Sequence, residues 1–229
     1  MNIYLVVEGD CTEILVYKEW ITFANKSLKV VTGIPDVSSN SVYLVSGSGW
    51  PNYLNRIKSA IEDINSIFDD DGMQIFSRLV IAIDTEDFTL EDKKLEIEEC
   101  IKESLGDGQR NFELEIVIHN FCIETWFLGR CNLFRRDPSE AVKEHRRNFD
   151  VSIDDPELLI IPDKYSHLTR AKYAKKYLKT AINDKFHHQT YESSNPGPVT
   201  NKKYYDNVVA RYKSTNDIRS FGAFMKAFC

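Results

Sequence analysis

The sequence lacks any apolar run long enough to cross a membrane. A membrane helix needs about 20 consecutive apolar residues, and charged residues, which make up 28% of this chain, interrupt every candidate stretch. The N-terminal run MNIYLVVEGD has no basic residue ahead of its apolar part and reaches acidic residues quickly. We therefore interpret it as a strand rather than a signal peptide, and we expect no association with a membrane.

Cysteine is scarce and shows no pairing pattern. The five cysteines, at positions 11, 100, 122, 131 and 229, are odd in number and form no CxxC pair. This argues against a disulfide framework and against a structural zinc site. We expect free thiols in a reducing compartment, which predicts a cytoplasmic protein.

The P-loop and the dinucleotide-binding fingerprint are absent as well. Ser46–Gly49 is a glycine-containing turn that could present backbone N–H groups to a phosphate. It has neither the lysine of a P-loop nor the spacing of the fingerprint. We interpret it first as a turn, and a nucleotide-handling enzyme that uses this turn stays an alternative.

Charge is present in both signs but is unevenly distributed. The net charge of −6 is the sum of −15 over Met1–Asp163 and +9 over Lys164–Cys229. Such a split predicts either a basic region that meets an anion or a basic part that packs against the acidic part. The sequence does not decide between the two.

The hydrophobic pattern predicts an α/β fold. Short apolar runs predict strands at 2–7, 42–45, 79–83 and 112–118, and helical periodicity predicts helices at 12–24, 54–68 and 90–105 between them. This alternation implies a four-stranded, mostly parallel sheet with right-handed crossovers. After residue 119 the pattern is helical, at 121–128, 138–149, 165–185, 202–213 and 218–228. We predict an α/β domain over 1–150 and a basic helical C-terminal region over 151–229.

Acidic residues follow the predicted strands. Glu8 follows the first strand, Asp84, Glu86 and Asp87 follow the third, and Glu124 lies one turn beyond the fourth. Ligands of parallel sheets bind beyond the carboxyl ends of the strands, and clustered acids are tolerated when a divalent cation neutralises them. Each acid taken singly is more typical of a solvated loop residue or a helix cap than of a metal ligand, so the metal-site hypothesis depends on the set as a whole.

Two residues at or near these strand ends, Glu124 and His119, have alternative interpretations. Glu124 either contributes to the metal site or is a helix acid that pairs with Arg130. His119, which follows the fourth strand, either orients a phosphate or ligand or is a histidine satisfied by hydrogen bonds, and the latter is favoured.

Two segments resemble the motifs of TOPRIM domains. Val6–Glu13 (VVEGDCTE) resembles the first motif, and Ile81–Asp87 (IAIDTED) resembles the second, with Glu86 where the family has an aspartate. The resemblance implies a TOPRIM-type sheet in which Glu8 is a general acid/base and metal ligand. It also implies that Asp84 and Glu86 hold Mg²⁺ or Mn²⁺, with Asp87 as a substitute ligand.

A third segment resembles one particular group of TOPRIM-like proteins. Ile118–Leu128 (IHNFCIETWFL) is similar to a stretch of small stand-alone TOPRIM-like proteins of phage-defence loci, relatives of the overcoming-lysogenization-defect nucleases, and Ser46–Trp50 and Arg211–Phe228 resemble other parts of them. In these proteins a glutamate matching Glu124 sits beside the acidic cluster. The resemblance implies a Mg²⁺-dependent nuclease of DNA or RNA that serves in antiviral defence. It also implies an ABC-type or AAA-type ATPase partner and leaves a homo-oligomer open. The alternative is a non-catalytic regulatory or scaffold subunit docked on the ATPase.

Basic residues of the C-terminal region are candidates for binding nucleic acid. Cations hold phosphates, and aromatic rings can stack on unpaired bases. The candidates are Arg170, Lys172, Lys175, Lys176, Lys202, Lys203 and Arg211. The tyrosines interleaved with them, such as Tyr173 and Tyr177, are more typical of a helix that faces a core. We interpret His187-His188 as a surface pair rather than a metal site.

Overall fold

The computed structural model describes residues 1–186 and 189–229, so that His187 and His188 lie outside the described residues. Five strands form one parallel sheet in the order β2-β3-β1-β4-β5. The strands are β1 Ile3–Val7, β2 Lys29–Val31, β3 Ser41–Ser46, β4 Arg78–Asp84 and β5 Glu113–His119. The parallel α/β class is confirmed, but the expected number of four strands is wrong. The additional strand, β2, has three residues and pairs only with β3 at the sheet edge, which is too short for a periodic signal.

Helices connect and follow the strands where the periodicity predicts them, and one further short helix lies at 197–200, where no helix is expected. Those between strands are α1 Thr12–Ala24, α2 Asn52–Ser66 and α3 Leu90–Leu105. Those after the sheet are α4 Glu124–Leu128, α5 Glu140–Asn148, α6 Arg170–Lys185, α7 Gly197–Thr200, α8 Lys202–Thr215 and α9 Arg219–Phe228. In the described part of the chain, no helix is long and apolar enough to cross a membrane. All five cysteines are free, as expected.

The chain forms two compact units. The first contains residues 1–83, 89–118 and 223–229, and the second contains residues 84–88 and 119–222. The C-terminal residues 223–229 belong to the first unit. There the Phe224 ring meets Tyr17 edge-on at 5.4 Å, and the Arg78 guanidinium donates to the Ala227 carbonyl at 2.9 Å.

The core of the first unit surrounds β1. All five residues of Ile3–Val7 are fully buried, because β1 pairs with β3 on one side and with β4 on the other. The apolar stripe of α2, including Ile57 and Ile61, packs in one cluster with Ile97 and Ile101 of α3. A strand buried on both faces reads as a continuous apolar run, which explains why the sequence identifies β1 so clearly.

Candidate functional site

Glu8 is the first residue beyond β1 in the first unit. Its backbone N–H still donates to the Ala82 carbonyl at 2.9 Å, and its carbonyl accepts from Gly49 at 2.9 Å. The Gly47 N–H donates to the Val7 carbonyl at 2.6 Å, so that the Ser46–Gly49 turn lies against the end of β1. A Cβ at Gly47 would lie 2.9 Å from the Tyr53 backbone, which accounts for a glycine at this close approach. The backbone around Glu8 is therefore fixed on two sides.

A buried polar group in the first unit was not anticipated from the sequence. Lys93 is 4% exposed, and its ammonium donates to the Tyr53 hydroxyl at 3.1 Å and to Glu96 at 2.9 Å. The Tyr53 hydroxyl also donates to Glu96. Burial, the Glu96 carboxylate and the charge of Glu8 together raise the pKa of Tyr53. Lys93 and Glu96 look like ordinary charges of a solvated helix in the sequence, so no signal there distinguishes them.

Asp84 and His119 form the central pair of the second unit. Asp84 ends β4 and is 7% exposed, and its Oδ1 lies 2.7 Å from Nδ1 of the fully buried His119, which ends β5. The Thr85 N–H donates to the His119 carbonyl at 3.0 Å, which joins the two strand ends. The His119 ring packs edge-on against Trp126 at 4.6 Å. The favoured interpretation of His119 as a satisfied histidine is confirmed, and the carboxylate of Asp84 is its partner.

Glu86 and Asp87 lie in the exposed turn after β4. Glu86 has a φ of +52°, a left-handed conformation that is uncommon for this residue type. Its N–H donates to the Phe121 carbonyl at 3.0 Å, and the Phe121 N–H donates to Thr85 Oγ1 at 2.8 Å. Two hydrogen bonds to the backbone of Phe121 therefore hold the turn, and the side chains of Glu86 and Asp87 remain exposed.

Glu124 is a buried carboxylate at the start of α4. It is 1% exposed, and its Oε1 accepts from the Tyr191 hydroxyl at 2.7 Å and lies 3.8 Å from the Lys175 ammonium. Within the described residues its Oε2 has no hydrogen-bond partner. A pair with Arg130 is not the arrangement found, because the Arg130 guanidinium lies over the Tyr204 ring at 4.7 Å. An unsatisfied buried oxygen is costly, which makes Glu124 a candidate ligand residue.

The pKa of the buried Cys122 thiol is affected by two carboxylates of this region. Burial, followed by the charges of Glu124 and Asp84, raises the pKa of Cys122 well above its usual value. Both carboxylates therefore act on one buried thiol.

A hydrogen-bond network holds α4 in place. The Trp126 indole N–H donates to Ser220 Oγ at 2.6 Å, and the Ser220 hydroxyl donates to Glu157. The Ser220 N–H also donates to Glu157, at 3.2 Å. Glu157 is 6% exposed, and burial raises its pKa to about 7. The network therefore connects α4, the helix that carries Glu124, to Glu157, whose carboxyl group can change its protonation near pH 7.

Substituting Glu157 with Gln is expected to change how stability depends on pH. In wild type the folded-state pKa of about 7 exceeds the ordinary value of 4.5, so this contribution is fully present below pH 4.5 and is lost as pH rises through 7. Glutamine mimics the neutral form at every pH. The free energy of unfolding of Glu157→Gln relative to wild type should rise by roughly 2 kcal/mol between pH 5 and pH 8, measured by urea denaturation.

The difference between variant and wild type is the quantity to compare. Burial lowers the pKa of His145 to about 4. This histidine therefore destabilises the fold as pH falls below 6.5, whereas Glu157 destabilises it as pH rises. Subtracting the two profiles removes that contribution. Glu99→Gln, at an exposed position, is the matched control. A constant difference between Glu157→Gln and wild type across this range would contradict the assignment.

The candidate nucleic-acid residues divide into exposed and buried groups. The exposed ones are Lys172, Lys176, Lys202 and Lys203. The Arg170 guanidinium lies over the Phe121 ring at 3.9 Å, and Lys175 is half-buried against Glu124. Arg211 is 6% exposed and binds backbone carbonyls inside the unit. Tyr173 and Tyr177 are fully buried, which confirms that the tyrosines of α6 face a core.

No metal cluster is apparent in the part of the chain that the structure describes, where no three His, Cys, Asp or Glu side chains are grouped closely enough to hold one ion. The chain matches no family model, no curated protein and no solved structure. The chemistry of the residues is therefore the basis for assigning a function.

Proposed function

We propose that the chain is a Mg²⁺- or Mn²⁺-dependent nuclease of TOPRIM type that hydrolyses phosphodiester bonds in DNA or RNA. The observation that carries the proposal is the buried Asp84 carboxylate, held by His119 at the carboxyl end of a parallel sheet. This is the edge at which sheets of this class bind ligands. Asp84 is also the acid that the resemblance to the second TOPRIM motif selects.

The proposed ligands share one type of donor atom, the carboxylate oxygen, which suits a hard divalent cation. Carboxylate oxygens are the ligands that Mg²⁺ and Mn²⁺ prefer, and ligating carboxylates are themselves held by outer hydrogen-bond partners. His119 has the position of such a partner for Asp84, and the unpartnered Oε2 of Glu124 offers a further donor. The proposed ligands are Glu8, Asp84, Glu86, Asp87 and Glu124. When bound, the cation would supply a Lewis acid that neutralises charge on the phosphate and lowers the pKa of water.

The chain's own residues would orient the reactants. Glu8 would take the proton from the attacking water, a role that rests on its match to the first motif. His119 would hold the Asp84 carboxylate in one orientation. The exposed lysines of α6 and α8, Lys172, Lys176, Lys202 and Lys203, would attract the phosphate backbone. We leave Arg211 out of this surface because its guanidinium is used within the fold.

The biological setting of this activity is proposed from the third resemblance. Ile118–Leu128 is similar to a segment of TOPRIM-like proteins of phage-defence loci, so we propose that the chain is the cytoplasmic effector of an antiviral system. An ABC-type or AAA-type ATPase would then be its partner. Dependence on such a partner predicts that the isolated chain cuts weakly and that the ATPase increases the rate.

A second candidate function is a non-catalytic regulatory or scaffold subunit that docks on the ATPase. The absence of three grouped ligand side chains among the described residues favours it. In that case Asp84 and His119 form a structural ion pair, and Glu86 and Asp87 are solvated acids. The two candidates differ in their response to divalent ions.

The direct test is a cleavage assay with single-stranded and duplex DNA and RNA. We expect cleavage in Mg²⁺ or Mn²⁺ and none in EDTA, because the attacking water is activated only by a bound cation. A candidate ABC-type or AAA-type ATPase partner is added in a second series. Intact substrates in every combination of metal and partner would contradict the nuclease and favour the scaffold.

Mn²⁺ is expected to raise the melting temperature of the wild type. A ligand at about 100 times its Kd stabilises the folded state by about 2.7 kcal/mol, which corresponds to roughly 5–10 °C for a chain of this size. Asp84→Asn should lose most of this shift, whereas Asp71→Asn, at an exposed loop position, should retain it. Equal shifts in wild type and Asp84→Asn would place the bound ion elsewhere.

A further inference from the structure

The second unit contains a cavity that is lined by two of the exposed lysines named above, Lys172 and Lys176. It has a volume of about 430 Å³ and lies along α6. We call it the lysine pocket, after the residues that characterise its lining: Tyr165, Lys172, Lys175, Lys176, Lys179 and Tyr191. Its volume lies in the range of roughly 300–1,000 Å³ that is usual for small-molecule sites.

The positive charges of the pocket are only partly neutralised. The Lys179 ammonium pairs with Glu192, and that of Lys175 lies 3.8 Å from Glu124. Within the described residues, Lys172 and Lys176 form no ion pair with a carboxylate. The Lys176 ammonium instead lies 5.4 Å from the centre of the Tyr165 ring. Lys172 and Lys176 therefore leave positive charge beside the cavity, which a bound phosphate would neutralise.

The aromatic part of the pocket is rigid. The Tyr165 ring stacks on His145, with centroids 5.7 Å apart and an interplanar angle of 15°. Tyr191 is 2% exposed, and its hydroxyl is fixed on Glu124. Because Tyr191 is buried, Tyr165 is the ring that can offer a flat apolar surface, and its stacking on His145 reduces the ordering needed when a planar ligand binds. A base stacked on tyrosine and a phosphate held by lysine are the complementary parts of one nucleotide.

We propose that the lysine pocket binds a single nucleotide, with its phosphate on Lys172 and Lys176 and its base against Tyr165. The nucleotide is either free or the phosphorylated end of a strand, since the recognised chemistry is the same. Lys175 and Tyr191 contact both the pocket and Glu124. Binding of a nucleotide in the lysine pocket would therefore change the surroundings of Glu124, which is a proposed metal ligand. The binding itself requires neither a metal ion nor cleavage.

Titration calorimetry in EDTA tests the proposal on the full chain, without any contribution from nuclease activity. AMP should bind saturably, and adenosine and inorganic phosphate should each bind at least about tenfold more weakly, because each lacks one of the two recognised parts. The double variant Lys172→Gln/Lys176→Gln should lose about tenfold or more in AMP affinity. The matched control Lys213→Gln, an exposed lysine on α8 outside the pocket, should bind AMP as wild type does.

A short oligonucleotide with and without a 5′-phosphate identifies the source of the nucleotide. Tighter binding of the phosphorylated strand than of AMP, lost in the double variant, assigns the pocket to a strand end, and the reverse order assigns it to a free nucleotide. The proposal is overturned if neither AMP nor the phosphorylated strand binds saturably. It is also overturned if phosphate alone binds as tightly as AMP, or if the double variant binds both ligands like wild type.

Discussion

Asp84→Asn is expected to reduce metal-dependent cleavage by at least about a hundredfold while leaving the fold intact. The substitution removes the negative charge that a divalent cation needs, and the loss of one group that stabilises transition-state charge costs about 10²–10³ in rate by itself. Asparagine has nearly the same shape and still offers an oxygen to His119, so the 2.7 Å contact at the strand ends can persist. Single-turnover rates in Mn²⁺ measure the effect.

Glu8→Gln should have an effect of similar size through a different step. Its backbone hydrogen bonds to Ala82 and Gly49 do not involve the side chain, so they are unchanged in the variant. Glutamine cannot accept the proton from an attacking water. Asp71→Asn is the control for both variants and should cut at the wild-type rate. Retention of more than about a tenth of the activity in Asp84→Asn and Glu8→Gln would remove these residues from the proposed catalytic centre.

The strands that the sequence predicts most clearly, β1 and β4, are those with continuous burial. β1 is buried along its whole length and has a neighbouring strand on each side, and β4 is buried from Leu79 onwards. β2 is different, since Lys29 is exposed and only Val31 of its three residues is buried. Its formation depends on pairing with β3, which is a long-range effect that local periodicity does not encode.

The division into units was beyond the reach of sequence reasoning for a related reason. The C-terminal residues have a helical pattern like the segment before them. The pattern does not indicate whether they pack in the core of the first unit or of the second. Phe224 and Phe228 pack against Tyr17 of α1, far away along the chain. Burial against a partner of this kind is decided by tertiary packing rather than by local preference.

The candidate site shows the same contrast. The proximity of Asp84 and His119 follows from the rule that neighbouring parallel strands end at one edge, so the sequence was sufficient to predict it. The partners of Glu124 were not predictable, since Tyr191 is 67 residues away in the chain. Lys93 was overlooked because a lysine of an acidic helix is usually solvated, whereas here it is buried against Tyr53.

Arg211 illustrates how charge in the sequence can misdirect a functional assignment. It was selected with the exposed lysines because it lies in a basic, tyrosine-rich helix. In the structure its guanidinium donates to the carbonyls of Ser152 and Asp154 at 3.1 Å each and to those of Val151 and Ile153 at 3.3 and 3.4 Å. Its Nε donates to Asp217 at 2.6 Å. The guanidinium of Arg211 therefore donates to four successive backbone carbonyls, those of residues 151–154.

Arg211→Met is expected to lower the free energy of unfolding by about 3–5 kcal/mol, because it leaves the Asp217 carboxylate and several carbonyls without their donor. Methionine retains the apolar stem, so the loss is attributable to the guanidinium. Guanidinium chloride denaturation measures it, and the exposed neighbour Lys213→Met should change stability by no more than about 0.5 kcal/mol. Arg211→Lys should also destabilise, since one ammonium cannot span four carbonyls. A loss below about 1 kcal/mol in Arg211→Met would mean that water replaces the guanidinium and that the turn does not depend on it.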